Sequence, residues 1–167
     1  MHRHSFVALM AILLPLAGGC QGEPASDPAA VRQIIEANNA RITGWYATGQ
    51  ADSIADFFAT DAWQLPPNMA PLVGRDSIVA FWRNATRAGK WTFQLAVQEV
   101  MVEGSLAAER GTYAVTFEAG PGAPFPSFQD QGNYVVVWRR EADGVWRIVW
   151  DAPVSTVPLP QPTAPAR

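Results

Sequence analysis

Residues 130–151 read DQGNYVVVWRREADGVWRIVWD. Two runs of alternating apolar and polar residues flank Ala142-Asp143-Gly144, and that tripeptide is a tight-turn signal between strands. Tyr134, Val136 and Trp138 share one side of the first run, and Trp146, Ile148 and Trp150 are expected to share one side of the second. Apolar residues fall on both faces of the pair. One face should meet helices, and the other is expected to meet a second copy of the chain, giving a homodimer.

Working backwards, the Gly- and Pro-rich stretch AGPGAPFPSFQ (119–129) separates this hairpin from another strand, LAAERGTYAVTFE (106–118). Before that, WTFQLAVQEVMVE (91–103) also alternates, with Phe93, Leu95 and Val97 on one side. Val100 and Val102 then take the apolar role on the other parity. A phase slip near Gln98-Glu99 is what a β-bulge produces, and a bulge bends the sheet.

Upstream the period changes to that of a helix. Asp27-Pro28 is a cap followed by proline at the first helical position, and the helix runs to Gly49. Its apolar stripe is read as Val31, Ile35, Ile42 and Trp45, with Asn38 in the same row. A second helix is expected over about 52–58, burying Ile54, Phe57 and Phe58. AWQL (62–65) suggests a short strand, and a loop carries Met69. Asp76 is expected to cap a third helix, with Ile78, Phe81, Trp82 and Ala85 on one face and Gly89 at its end. The sum is an α+β domain spanning 28–152, with three N-terminal helices on a strongly curved, mainly antiparallel sheet. A cone of this kind leaves a hollow between helices and sheet.

The two ends read differently. Residues 1–19 have a basic start, MHRH, and an apolar run, FVALMAILLPLA, too short to span a bilayer comfortably. LAGGC leads to Cys20, the only cysteine, and resembles a bacterial lipoprotein signal. Residues 20–27 would then be a lipidated tether, and Gln21 implies sorting to the outer membrane, with the domain facing the periplasm. Each buried CH₂ of such a lipid contributes about 0.8 kcal/mol, so several acyl chains hold a protein on a membrane durably. Residues 153–167 carry five of the fourteen prolines and read as a disordered tail.

Cleavage before Cys20 would remove His2 and His4, the only histidines. Catalytic Ser-His-Asp or Cys-His groups and His- or Cys-ligated metals are then excluded, so neither a metal site nor a cofactor is expected. The net charge is −3 with no basic cluster, which argues against a nucleic-acid partner. Seven tryptophans and eight phenylalanines point to an aromatic interior or pocket.

The runs GQADSIADFFATDA (49–62), PPN (66–68), GRDSIVAFW (74–82), LAAERGTY (106–113) and DQGNYVVVWRREADGVWRIVWD (130–151) resemble the SnoaL-like, nuclear-transport-factor-2-like superfamily. The similarity is nearest its bacterial branch and covers roughly Val31 to Asp151. It implies the cone-shaped, cystatin-like fold. That fold hosts isomerases, cyclases, dehydratases, binding modules and assembly domains, so it implies no single activity. The catalytic aspartate of the superfamily's ketosteroid isomerases falls on Pro66, their oxyanion tyrosine on Ile42 and their protonated aspartate near Val136. None of the three groups is present. Asp61 reads as a turn or cap residue.

Other polar groups remain as candidates. Glu109 shares parity with Tyr113, Val115 and Phe117, which puts a carboxylate on an apolar face where burial could make it an acid or base. The alternative is a rim position paired with an arginine. Asp130 could cap its loop or stand at the pocket mouth. Asn38, Trp63, Met69, Trp82, Glu109, Tyr113, Tyr134 and Trp150 are the expected lining of a pocket for a small apolar or aromatic ligand. An enzyme using Glu109 or Asp130 is one rival. A dimeric interaction module whose cavity is plugged by Trp63, Trp82 and Trp150 is another.

Overall fold

The computed structural model describes residues 26–158. The leader, Cys20, most of the tether and most of the Pro-rich tail lie outside these residues. Helix α1 spans Pro28–Thr48. Asp27 accepts the Ala29 N–H at 3.1 Å, and Pro28 sits where a missing donor costs nothing. Gly49 ends the helix at φ 73°, a left-handed conformation that favours glycine. The buried stripe is Val31, Ile35, Asn39, Ile42 and Tyr46. Asn39 and Tyr46 thus replace the expected Asn38 and Trp45, which are only half-buried. Steps of three and four both fit a helix, so adjacent Asn-Asn and Trp-Tyr pairs leave a ~100° ambiguity that packing resolves.

A 3-10 helix, Ala51–Phe57, buries Ile54 and Phe57 and hands over to strand β1, Phe58–Gln64. After β2 (Leu72–Val73) comes α2, Arg75–Ala88. Asp76 is not its cap. Gly74 precedes the helix at φ 82°, and Asp76 lies in the first turn, where its charge meets the positive end of the helix dipole. Ile78, Val79, Trp82 and Ala85 form the buried face.

Strands β3 (Gly89–Glu103), β4 (Leu106–Ala119), β5 (Phe128–Arg140) and β6 (Trp146–Ser155) form a meander. The sheet has six strands in the order β2-β1-β6-β5-β4-β3. Only the β1–β6 pair is parallel. Strand β6 continues three residues past the expected boundary at 152, and Ser155 pairs with Gly132.

Two irregularities shape the sheet. In β3 the pairing passes from Val97–Gly111 to Glu99–Arg110, so Gln98 is the bulged residue the phase slip indicated. In β6 it passes from Trp138–Ile148 to Val137–Trp150, leaving Val149 unpaired. This second bulge overturns the expected shared face of Trp146, Ile148 and Trp150. Trp146 and Ile148 are buried, whereas Trp150 is 56% exposed on the outer face. Beyond the bulge Asp151 and Pro153 take the inward parity, opposite Val136 and Tyr134.

The concave face of the sheet meets α1, α2 and the 3-10 helix over a core that includes Ile35, Ile54, Phe58, Ile78, Phe117 and Trp138, each at most 1% exposed. Burying such a side chain contributes roughly 1.5–3 kcal/mol. Among the described residues no helix is long and apolar enough to cross a membrane.

Candidate functional site

The hollow of the cone is a cavity of about 560 Å³. Its wall is largely aromatic. Tyr46 from α1 packs on Trp82 from α2 with ring centroids 4.1 Å apart and on Phe93 from β3 at 5.0 Å. Trp91 stacks beside Phe93 at 5.9 Å, and Tyr113, Phe128 and Tyr134 complete the ring.

Polar groups enter this apolar wall in three places. The first is a relay across the floor. Trp82 Nε1–H donates to Gln64 Oε1 at 2.9 Å, and Gln64 Nε2–H donates to Asp151 Oδ2 at 2.8 Å. The indole has only a donor, so it fixes the amide with its NH₂ toward Asp151. Burial raises the Asp151 carboxyl from its ordinary value of 3.8 to about 6; the Gln64 bond opposes the rise and the Glu109 charge adds to it. A carboxyl poised there can take or give a proton near neutral pH.

The second is a buried cluster behind the wall. Glu109 has no exposed surface. Its Oε1 accepts from Asn39 Nδ2 at 2.6 Å and from the Tyr134 hydroxyl at 2.7 Å, and its Oε2 accepts from Trp138 Nε1 at 2.8 Å. Donors from α1 and β5 thus converge on a carboxylate of β4. The Tyr134 ring reaches it by lying across Gly111. A Cβ on that glycine would be 2.6 Å from the Tyr134 oxygen and 2.3 Å from the Ala96 carbonyl. Burial, then the Glu109 charge, holds the Tyr134 phenol well above its ordinary pKa, so it stays protonated and donates.

The third is the mouth. Asp130 accepts from the Tyr113 hydroxyl at 2.7 Å, from the Ser155 hydroxyl and from the Gln131 N–H. Burial and the Asp130 bond keep the Tyr113 phenol protonated as well.

Of the expected pocket residues, Met69, Trp82, Tyr113 and Tyr134 line the cavity, and so does Asp130. Trp63 and Trp150 do not. They are 43% and 56% exposed and pair with each other on the outer face. Asn38 gives way to Asn39. Glu109 is neither a lining residue nor paired to an arginine at a rim; its oxygens are used by internal donors. Asp61 is a surface partner of Arg139 at 2.7 Å, and this guanidinium holds its carboxyl below the usual range.

Asp151, Gln64 and Tyr46 also line the cavity, and no sequence pattern singles them out. The Ile148-Val149-Trp150 run breaks alternation, and that was the one local sign that the parity of Asp151 was open. Pro66, Ile42 and Val136, onto or near which the resemblance puts the reacting groups of ketosteroid isomerases, line the cavity. The polar groups stand beside these positions: Gln64 two residues before Pro66, Tyr46 one turn after Ile42, and Asp151 across the ladder from Val136.

No curated protein sequence matches this chain. Solved structures share its fold. A conserved protein from Planctomyces limnophilus superposes with a TM-score of 0.69 at 16% identity, over 77% of this chain and 98% of that one. A nuclear transport factor 2-like superfamily protein from Salmonella enterica serovar Typhimurium gives 0.67 at 18% identity, over 78% and 96%. A protein with a cystatin-like fold from Novosphingobium aromaticivorans gives 0.56 at 24%, over 75% and 79%. The family model for the SnoaL-like domain matches residues 26–149, which takes in both α-helices, strands β1 to β5 and the first four residues of β6. The chain therefore belongs to the SnoaL-like domain family.

Proposed function

We propose that the protein binds a small, mostly apolar molecule in the conical pocket while a lipid on Cys20 holds it at the periplasmic face of a bacterial outer membrane. The observation that carries the binding is the cavity itself. About 560 Å³ is the size of a small-ligand site, and its apolar wall is broken by a few convergent polar groups. The plugged interaction module is less well supported, because Trp63 and Trp150 lie on the other side of the sheet. Native mass spectrometry of protein extracted from its own envelope tests the reading. A one-to-one mass increment from an apolar molecule is expected; bare protein that also takes up no apolar probe would sink it. The anchor has a separate test, in which Cys20→Ser should move the protein from the membrane to the soluble fraction.

A second reading is favoured by one observation. Asp151 faces the cavity with a carboxyl raised to about 6, which suits cofactor-independent isomerisation, dehydration or hydrolysis better than Glu109 or Asp130 does. Turnover lost in Asp151→Asn without loss of folding would support it, and unchanged turnover would remove the residue from consideration.

The homodimer is also proposed, through the outer face. Val73, Trp63, Trp150, Val137, Ala108 and Met101 are successive cross-strand partners and form an apolar row over all six strands. Ion pairs of both signs flank it, Arg139–Asp61 and Arg110–Glu99, so two copies can meet without like-charge repulsion.

A further inference from the structure

The cavity is one-signed. Its lining includes Asp130 and Asp151, and among the described residues no lysine or arginine lines it. The charged groups around Asp151 come from several elements. Tyr46 faces it from α1 and Tyr134 from β5, both as neutral phenols raised first by burial, then by the Asp151 charge for Tyr46 and by Glu109 ahead of Asp151 for Tyr134. Glu109 adds a like charge from β4, and Asp130 lines the cavity from β5. α2 presents Trp82, and β1 presents Gln64, an amide. Arg32 is the cation that acts on Tyr134, but its guanidinium is taken by Glu36 at 2.8 Å and by the Val97 carbonyl at 3.1 Å. Gln64 is the one side-chain donor bonded to the Asp151 carboxylate among the described residues. The walls beside it are the Tyr46, Trp82 and Phe93 rings, whose faces attract positive charge.

We infer that the pocket selects a small amphipathic cation, a protonated amine on an apolar body, with the ammonium between the Asp151 carboxylate and the Tyr46 and Trp82 rings. This deepens the binding reading above and rests on it. The body fills the aromatic wall, as any apolar ligand would. The charge is what discriminates, because an anion would face two carboxylates with no basic partner in the lining, and a neutral analogue leaves the Asp151 charge desolvated with the Gln64 amide as its side-chain hydrogen-bond donor.

Protonation gives the inference a sign. An ammonium needs the ionised form of Asp151, and the apparent affinity falls with the fraction of protein in that form. With the carboxyl at about 6, the ionised fraction is about a tenth at pH 5 and nearly complete at pH 7.5. Affinity for the cation should therefore rise about tenfold over that interval. A neutral ligand that accepts a hydrogen bond from the protonated acid would show the reverse slope.

The test is calorimetric titration of the full chain with three probes of one shape, 1-naphthylmethylammonium, 1-naphthalenemethanol and 1-naphthoate. Expected at pH 7.5 is cation over alcohol by about tenfold or more, naphthoate weakest, and a tenfold gain for the cation from pH 5 to 7.5. Asp151→Asn should flatten that profile and bring cation and alcohol together. Alcohol binding as tightly as the cation, or a flat cation profile in the unaltered protein, overturns the inference and leaves apolar binding standing. If none of the three binds, both readings fall. The comparisons on the unaltered protein do not depend on whether the variant folds.

Discussion

Replacing Glu109 by glutamine tests the buried cluster that joins α1 to the sheet. Two donors share Oε1 and a third uses Oε2. Glutamine retains one oxygen, so its best arrangement keeps Asn39 and Tyr134 on that atom and turns its NH₂ toward Trp138. The Trp138 N–H then loses an acceptor and meets another donor. Losing a hydrogen bond to a charged acceptor costs about 1.5–3 kcal/mol, and the two retained bonds weaken because they are no longer charge-assisted. The amide also relieves the burial of a charge, which offsets part of this. The expected net loss is about 3 kcal/mol, or about 12 °C in Tm for a domain of this size. Urea and thermal unfolding followed by circular dichroism would measure it. Trp138→Phe supplies the internal control, since in the Glu109→Gln background it removes the opposed donor. The double variant should be at least ~1 kcal/mol more stable than the sum of the singles implies. A single-variant loss under ~1 kcal/mol, or strict additivity, would show that the cluster does not bind the helix to the sheet as argued.

Three further outcomes follow from the same geometry. A carboxyl raised from 3.8 to about 6 on folding contributes stability that is present below pH ~4 and lost as the pH rises through 6, about 3 kcal/mol in all; Asp151→Asn should remove that loss, so its Tm at pH 7.5 should exceed that of the unaltered protein. Gly111→Ala would set a methyl against the Tyr134 ring and the Ala96 carbonyl, and because the carbonyl is backbone it cannot swing aside; a loss of about 2 kcal/mol or more in urea titration is expected. Trp150→Glu puts a charge in the middle of the outer apolar row and should yield monomers by sedimentation velocity in place of the proposed dimer of the unaltered chain.

Local patterns, read without coordinates, were enough for the architecture. The cap at Asp27-Pro28, the period-two runs, the Asp143-Gly144 turn and the phase slip at Gln98 each depend on neighbours within a few residues, and each appears in the structure. The inward side of β4, with Glu109 in line with Tyr113, followed from alternation alone. What tertiary structure decided was the polar side of the pocket. Asn39 rather than Asn38 faces inward because packing chose one of two helical phases, and Asp151 rather than Trp150 does so because a bulge at Val149 shifts parity. Neither choice has a glycine or proline to announce it. Both are set by contacts between residues far apart in the chain, where a single residue's slip exchanges an indole for a carboxylate at the floor of the cavity.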